Sequence, residues 1–595
     1  MDGNGRALGW FGTDDIKLEI PFFQRPYVWD MEEWNALFEG IKETDEENMP
    51  FIGSFILQET GEKKKYLVID GQQRITTLSV LIKAFLDGFS EIPDDARPEL
   101  KNMIYSRKPG SKMKSVFVNR LTPSQVDKDD YNLVMEQENK GTDIGGKGKI
   151  AEAYKYFYNK FKQMSEEENL SFGSKLLTSN KFFISITLED NDDEQKIFDS
   201  VNSLGKKLTN SDIIKNYLFQ KIKELGSFDG ATEDQVLQLH DKYWMNIFYG
   251  NQREFWEKDR TFGRTKTSSI EAFLKDYATI KGIYNPYDTV GIDGLAKSYK
   301  NHINKYKDYK GVVAFAKDLA EYADCYFDYN NNYLNVDSLR ITDLVNSTLL
   351  ILDKTDTSTF NPYILKLLKN KPDDLSEQLF ALQSFLVQRI VYGASTKNYN
   401  KVCEQLMKAG DPIQYLKKYN ENEPMGIGEF PSGLKKLTKN ALPTLILFIV
   451  EMIRRNGKEA LYTDDLKYNK SLEHIIPQKW EKWINVPCYV KKDNEYVQIT
   501  DINDVHEARK EAIYSIGNMT LLSGPLNSKV SNDVIKTKIE GNGKKDGIRK
   551  YVGSLTVAQD VIDTYDKTGE WTEREVAERN SKIFDELNRY YGFTK

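Results

Sequence analysis

The chain has 595 residues, 29% of them charged and 39% hydrophobic, and a formal net charge of −7. Length and composition point to a soluble globular protein of roughly two to four domains, and the acidic balance excludes a chain that binds nucleic acid by overall charge, so any such binding must come from local patches. Cys325, Cys403 and Cys488 lie far apart, the first residues form no basic-then-apolar leader, and the most apolar run, Leu442 to Ile453, is too short to span a bilayer. The expected setting is a reducing cytoplasm, without a membrane.

In chain order, the first distinctive segment is Ile20-Pro21-Phe22-Phe23-Gln24-Arg25-Pro26-Tyr27-Val28-Trp29, dense in aromatics and with an arginine just before its second proline. Phe51 to Leu57 and Tyr66 to Ile69 read as strands. The second runs into the polar turn Asp70-Gly71-Gln72-Gln73-Arg74 and then a helix over Ile75 to Phe85, with Leu78, Leu81, Ile82 and Phe85 on one face. Strand, turn and helix converge on a point where a ligand can be held. Two arginines, a carboxylate and amides suit a polyphosphate with a metal; they equally suit a buried ion pair such as Asp70 with Arg25.

Residues 101–120 carry Lys101, Arg107, Lys108, Lys112, Lys114 and Arg120 and no acid, and 138–148 reads as a loop rich in Gly, Lys and Asn. Phe182 to Leu188 reads as a strand, and Asn210 or Ser211 as the cap of a helix through Ile213, Ile214, Tyr217 and Leu218. From about residue 226 to 455 the pattern is helical, clearest over Leu375 to Val391 and Leu442 to Ile453. Asn330–Asn332 and Asn420–Gly433 read as loops, and no chemical motif stands out in this region.

From about residue 456 strand and loop signals return around Ser471-Leu472-Glu473-His474-Ile475-Ile476-Pro477-Gln478. Asn518, in Gly517-Asn518-Met519-Thr520-Leu521-Leu522, lies 44 residues beyond His474, and Asn527 follows 9 later. An imidazole beside a carboxylate, with two later carboxamides, is the donor set of a one-metal site acting on a phosphodiester. Carboxylate and amide oxygens suit a hard divalent cation, and a neutral imidazole can accept a proton from water. Neighbouring strand residues face opposite ways, so Glu473 and His474 can serve one phosphate only on a bent hairpin. The bland alternative is a buried histidine with asparagines in turns. Residues 529–550 hold seven basic and three acidic residues, a local excess suited to a phosphate backbone or to a solvated face. A last helix has Trp571, Val576, Ile583, Phe584 and Leu587 as its apolar face.

The C-terminal segment resembles the HNH (His-Me finger) nuclease domain of GmrSD-type restriction proteins. The match runs through Glu473, His474, Ile475, Pro477, Gly517, Asn518, Thr520, Leu521, Leu522, Asn527 and Lys536 or Lys538, with Met519 in place of a leucine. The segments 20–29 and 70–74 resemble the N-terminal domain of the same family, as does Phe198 to Thr209 followed by Asp212-Ile213-Ile214-Lys215-Asn216, where Leu204-Gly205 replaces the usual Arg-Gly. The resemblance covers roughly residues 10–225 and 456–595. It implies an α+β multidomain chain: a ParB/sulfiredoxin-like nucleotide-binding domain at 1–225, a helical coupling region at 226–455, and a ββα-metal nuclease domain with a helical tail at 456–595. It further implies His474 as general base, Glu473 and Asn527 as ligands of Mg²⁺ or Mn²⁺, and Asn518 as the residue orienting the hairpin and the imidazole. Gln24, Arg25, Asp70, Gly71, Gln72, Gln73 and Arg74 would bind a nucleoside triphosphate (GTP, ATP or another), with Ser203, Lys206 and Lys207 as further phosphate contacts. The expected function is an NTP-regulated endonuclease of bacterial anti-phage defence acting on modified phage DNA. The alternatives are a nucleotide-regulated DNA-binding protein with a vestigial nuclease site, and an RNA-cutting toxin. Self-association stays open.

Overall fold

A computed structural model describes the chain except residues 1, 45–49, 61, 110–114, 137–140, 142–143, 189–208, 263–264, 287–292, 423–431, 436, 439, 459–461, 463, 481–482, 494, 523–533, 543–545, 553–554 and 594–595. It is a helix-rich α+β protein that divides into two compact units, Met1–Trp244 with Lys300–Val313, and Met245–Tyr299 with Ala314–Lys595.

The first unit is built on a six-stranded mixed sheet in the order Asp2–Arg6, Phe183–Leu188, Ser54–Glu59, Lys65–Asp70, Lys17–Glu19, Leu121–Thr122. Ser54–Glu59 is antiparallel to Lys65–Asp70 and parallel to Phe183–Leu188, while Lys17–Glu19 is parallel to both its neighbours. Helix Gln72–Gly88 follows the fourth strand in that order. It starts three residues before the expected Ile75, and instead of one apolar face it is buried on all sides from Ile75 to Leu86. Its polar residues are satisfied inside: Lys83 pairs with Asp87 at 2.7 Å, and Asp87 also accepts from the Tyr154 hydroxyl at 2.8 Å. Phe38, Phe85, Phe161 and Phe172 pack ring against ring in the same core.

Several local expectations are corrected. The helix Asn210–Phe228 is capped by Thr209, not by Asn210 or Ser211; Thr209 and Asp212 form a reciprocal capping box that satisfies orphan amides at both positions. Asn330–Asn332 lies inside the helix Tyr309–Asn335. There Asn330 returns its amide to the Tyr326 carbonyl and accepts from Arg260, and Asn335 bonds back to the Asn331 carbonyl, so the asparagines hold the helix instead of breaking it. The expected loop at Asn420–Gly433 begins within the helix Pro412–Asn422, and 423–431 lies outside the described residues. Arg120, at the end of the basic run, is buried against Asp15 at 2.9 Å and the Asn102 carbonyl at 2.6 Å, and so is not available to a phosphate.

In the second unit the apolar run forms the helix Ala441–Arg455. Pro443 sits in its first turn, where no intrahelical donor is lost. Glu451 is fully buried yet accepts from Arg455 at 2.8 Å, from the Thr556 hydroxyl at 2.7 Å and from the Val557 amide at 3.0 Å. Among the described residues no helix is long and apolar enough to cross a membrane. Strand Ser471–His474 is antiparallel to Met519–Leu522, with Glu473 opposite Thr520 and His474 opposite Met519. Trp571 and the tail helix Glu573–Tyr591, which buries Val576, Ile583 and Leu587, pack into the same unit, with Phe584 half-buried.

Candidate active site and nucleotide site

Ser471–His474 ends where the chain turns through Ile475-Ile476-Pro477, all buried. Asn518 holds that turn. It is fully buried; its Oδ1 accepts from the Ile476 amide at 2.7 Å and from the Trp571 indole at 3.3 Å, and its Nδ2 donates to the Ile476 carbonyl at 2.9 Å. Gly517 has no room for a side chain: a Cβ would collide with the Val576 carbonyl of the tail helix. Its amide donates to Asn580 at 2.6 Å, and its carbonyl accepts from buried Arg579 at 2.8 Å. The tail helix therefore supports the carboxamide that supports the histidine turn.

His474 is half-buried, and no described residue hydrogen-bonds its buried Nε2. Burial, reinforced by the positive charge of Lys538, lowers its pKa to about 4, so at neutral pH the ring carries a free lone pair. Lys538, on the helix Ile535–Glu540, is buried; its ammonium pairs with Glu473 Oε1 at 2.6 Å and also bonds the His474 carbonyl. Lys536, the other candidate for the basic position, is exposed. The structure thus brings together His474, Glu473, Asn518 and Lys538, while Asn527 lies outside the described residues. No cluster of three or more His, Cys, Asp or Glu able to hold a metal occurs among the described residues. The oxygens of Glu473 and of the His474 carbonyl nevertheless hold a cation, the lysine ammonium, and a carboxylate with a carboxamide is chemistry that fits a hard divalent ion. The sequence motif contained both Glu473 and the lysine but not their pairing, because the ion pair bridges 65 positions.

At the other site, Asp70 closes its strand and Gly71 turns at φ 93°, a left-handed conformation in which a Cβ would meet the Phe55 ring. Asp70 pairs with Arg74, one helical turn on, at 3.3 Å. The two glutamines reach the aromatic segment. Gln73 Oε1 accepts from the Val28 amide at 2.8 Å and its Nε2 donates to the Pro26 carbonyl at 3.1 Å, while Gln72 Nε2 donates to the Arg25 carbonyl at 3.4 Å. Gln72 Oε1 is buried without a partner among the described residues. Burial lowers the pKa of Arg25, against the attraction of Asp212, Asp70 and Glu33. Gln24 is buried, and its carbonyl accepts from the buried ammonium of Lys215 at 3.3 Å. A cleft of about 340 Å³ is lined by Phe22, Gln24, Ile69, Asn216 and Lys223 among others; of the expected nucleotide-binding residues, Gln24 lines it and Arg25, Asp70, Gly71, Gln72, Gln73 and Arg74 do not. The arrangement pairs Asp70 with Arg74, places Arg25 within electrostatic reach of Asp70, and makes Gln73 a clamp on the segment that carries Arg25. Ser203, Lys206 and Lys207 lie outside the described residues. Asp127, which accepts from the Tyr27 amide at 2.9 Å and the Ser124 hydroxyl at 2.8 Å, carried no sequence signal of its own.

The N-terminal domain model of the GmrSD restriction endonucleases matches residues 8–219, and the C-terminal domain model matches residues 437–586. The two stand in that order and cover more than half of the chain, which therefore belongs to the GmrSD restriction endonuclease family. An uncharacterized protein of Methanocaldococcus jannaschii is 23% identical over 249 residues, 35% of this chain and 40% of that relative. The chain thus spans well under two thirds of the curated relative it matches.

Proposed function

We propose that the chain is an NTP-regulated, modification-dependent DNA endonuclease of bacterial anti-phage defence. Residues 1–225 sense a nucleotide, 226–455 couple, and 456–595, with an HNH-type active site, cut. One observation carries this reading: the unpartnered Nε2 of His474, beside Glu473 and Lys538, inside the region that matches the C-terminal domain of restriction endonucleases. A neutral imidazole fixed by the Asn518 clamp accepts a proton from a water attacking phosphorus. Glu473 and Asn527 are the residues that would hold Mg²⁺ or Mn²⁺, and the ion would offset charge growing on the phosphate. Asp70, Arg74 and Arg25 hold the triphosphate that restrains or licenses cutting, which matters because an ungoverned nuclease would attack the cell's own DNA.

The test is cleavage of matched modified and unmodified phage DNA, with and without each NTP, in Mg²⁺ or Mn²⁺ and in EDTA. His474→Ala is expected to lower cleavage by about 10²–10⁴-fold with the fold intact; full activity in that variant sinks the assignment. Asp70→Ala and Arg74→Ala are expected to lower NTP turnover, and unchanged turnover in both makes the turn structural. One observation favours a second reading: Lys538 already neutralises Glu473. A vestigial nuclease that still binds DNA would leave supercoiled plasmid un-nicked under every metal condition while retarding it on a gel.

A further inference from the structure

The first unit carries a hairpin outside its six-stranded sheet, Tyr105–Pro109 paired antiparallel with Ser115–Asn119. It follows directly on the helix Ala96–Ile104. Its root is tied down: the Tyr105 hydroxyl donates to the Met135 carbonyl at 2.5 Å, and the Asn119 amide donates to Asn132 at 3.4 Å. Residues opposite one another in such a ladder share a face, and neighbours along a strand do not. Tyr105 with Asn119 and Arg107 with Phe117 therefore stand on one face, and Ser106 with Val118 on the other. Ser106 is buried and Val118 half-buried, so that face packs inward, whereas Arg107 is exposed and Phe117 is 47% exposed. Lys101, from the helix, brings its ammonium to 5.9 Å from the centre of the Phe117 ring, the Arg107 guanidinium lies at 5.7 Å, and Tyr105 meets the ring edge-on at 6.0 Å. Among the described residues neither Lys101 nor Arg107 pairs with a carboxylate. Residues 101–120 contain no acid although the chain's net charge is −7, so the sign of the surface is reversed here. Arg120, turned inward to Asp15, takes no part. A lone exposed ring is ordinary, but a ring held between two cations on an anchored ribbon is a composite surface, apolar at its centre and positive at its sides.

We propose that this outward face is a duplex-DNA contact of the first unit, lying in the major groove with Lys101 and Arg107 on the flanking phosphates and Phe117 against the base edges. The major groove admits a two-stranded ribbon, and an apolar ring suits the thymine methyl and the other apolar edges exposed there. The cations supply what the acidic chain lacks overall, a local positive field matched to the phosphate backbone. The proposal rests on the reading of the chain as one that acts on DNA. It adds a place where DNA is held on a different unit from His474, by residues with no part in cutting. Phosphate contacts position a protein without reading sequence, so an unmodified duplex serves as probe.

Fluorescence anisotropy of a short labelled duplex tests this, titrated with the full chain at several salt concentrations and in EDTA so that no strand is cut. The parent is expected to bind with a steep salt dependence. Each phosphate contact steepens log K against log salt by about 0.9, so Arg107→Gln should flatten the slope by about that amount and Lys101→Gln with Arg107→Gln by about 1.8. Between about 50 and 200 mM salt the parent's affinity should then fall roughly tenfold further than the double variant's. Phe117→Ala should weaken binding about fivefold at every salt concentration, with the slope unchanged, because it removes apolar contact and no charge. Lys162→Gln, on the exposed side of the helix Lys149–Gln163, makes the same change in net charge as Arg107→Gln and should keep the parental slope. A slope unchanged in the double variant overturns the proposal, as does equal flattening in Lys162→Gln, or tighter binding of the single strand than of the duplex. A melting temperature several degrees lower in Arg107→Gln also overturns it, because that marks the side chain as structural. A parent that binds duplex equally well in every variant sinks the ribbon alone. A parent that binds through the ribbon yet cuts nothing under any metal condition sinks the nuclease reading alone, and one that binds no duplex sinks both.

Discussion

Asn518→Ala separates a supporting role from a chemical one and can be worked out from the contacts. The side chain is fully buried and satisfies the Ile476 amide, the Ile476 carbonyl and the Trp571 indole. Alanine leaves those groups in place, each at a cost of about 1–3 kcal/mol when unpaired and dry. The sum is about 3–9 kcal/mol, a large share of the roughly 5–15 kcal/mol that holds an ordinary domain. Urea unfolding followed by tryptophan fluorescence measures it, since Trp571 sits against the lost carboxamide. Cleavage is expected to fall as well, because the freed turn begins one residue after His474. By contrast His474→Ala should leave stability nearly unchanged. A loss under about 1 kcal/mol in Asn518→Ala would show that the carboxamide is not the clamp and would refute the account of how the histidine is held.

Three further outcomes follow from the same geometry. Gly71→Ala forces a side chain into a left-handed backbone and into the Phe55 ring, and is expected to cost the first unit about 2–5 kcal/mol, read as a lowered melting transition. Lys538→Met leaves Glu473 unpaired; since the lysine is buried and the acid partly so, a double-mutant cycle with Glu473→Gln should give a coupling of about 1–3 kcal/mol, and a coupling near zero removes the ion pair from the account. Burial raises the Asp127 carboxyl to about 6, above its unfolded value of 3.8. The folded state therefore holds that proton more tightly. The associated stability is complete below about 3.8 and is lost as pH rises through about 6. The melting temperature of the parent relative to Asp127→Asn should rise as pH falls from 7.5 to 5, and a flat difference across that window contradicts the burial of the charge.

The sequence by itself determined the chemistry present and its order along the chain. Glu473-His474, Gly517-Asn518 and Asp70-Gly71-Gln72-Gln73-Arg74 stand at spacings that only certain local structures accommodate, and strand–turn–helix at 66–85 was legible because period-two and helical signals are local. The tertiary structure decided which of those residues touch. Lys538 was one of two lysines until folding carried it 65 positions back onto Glu473, and Gln73 was a motif letter until it closed on Pro26 and Val28. The middle helices show the limit most plainly. Asp276 is one acid among 90 in the sequence, and nothing local marks it. Its burial depends on side chains contributed by distant elements, and no periodicity within its own helix encodes it.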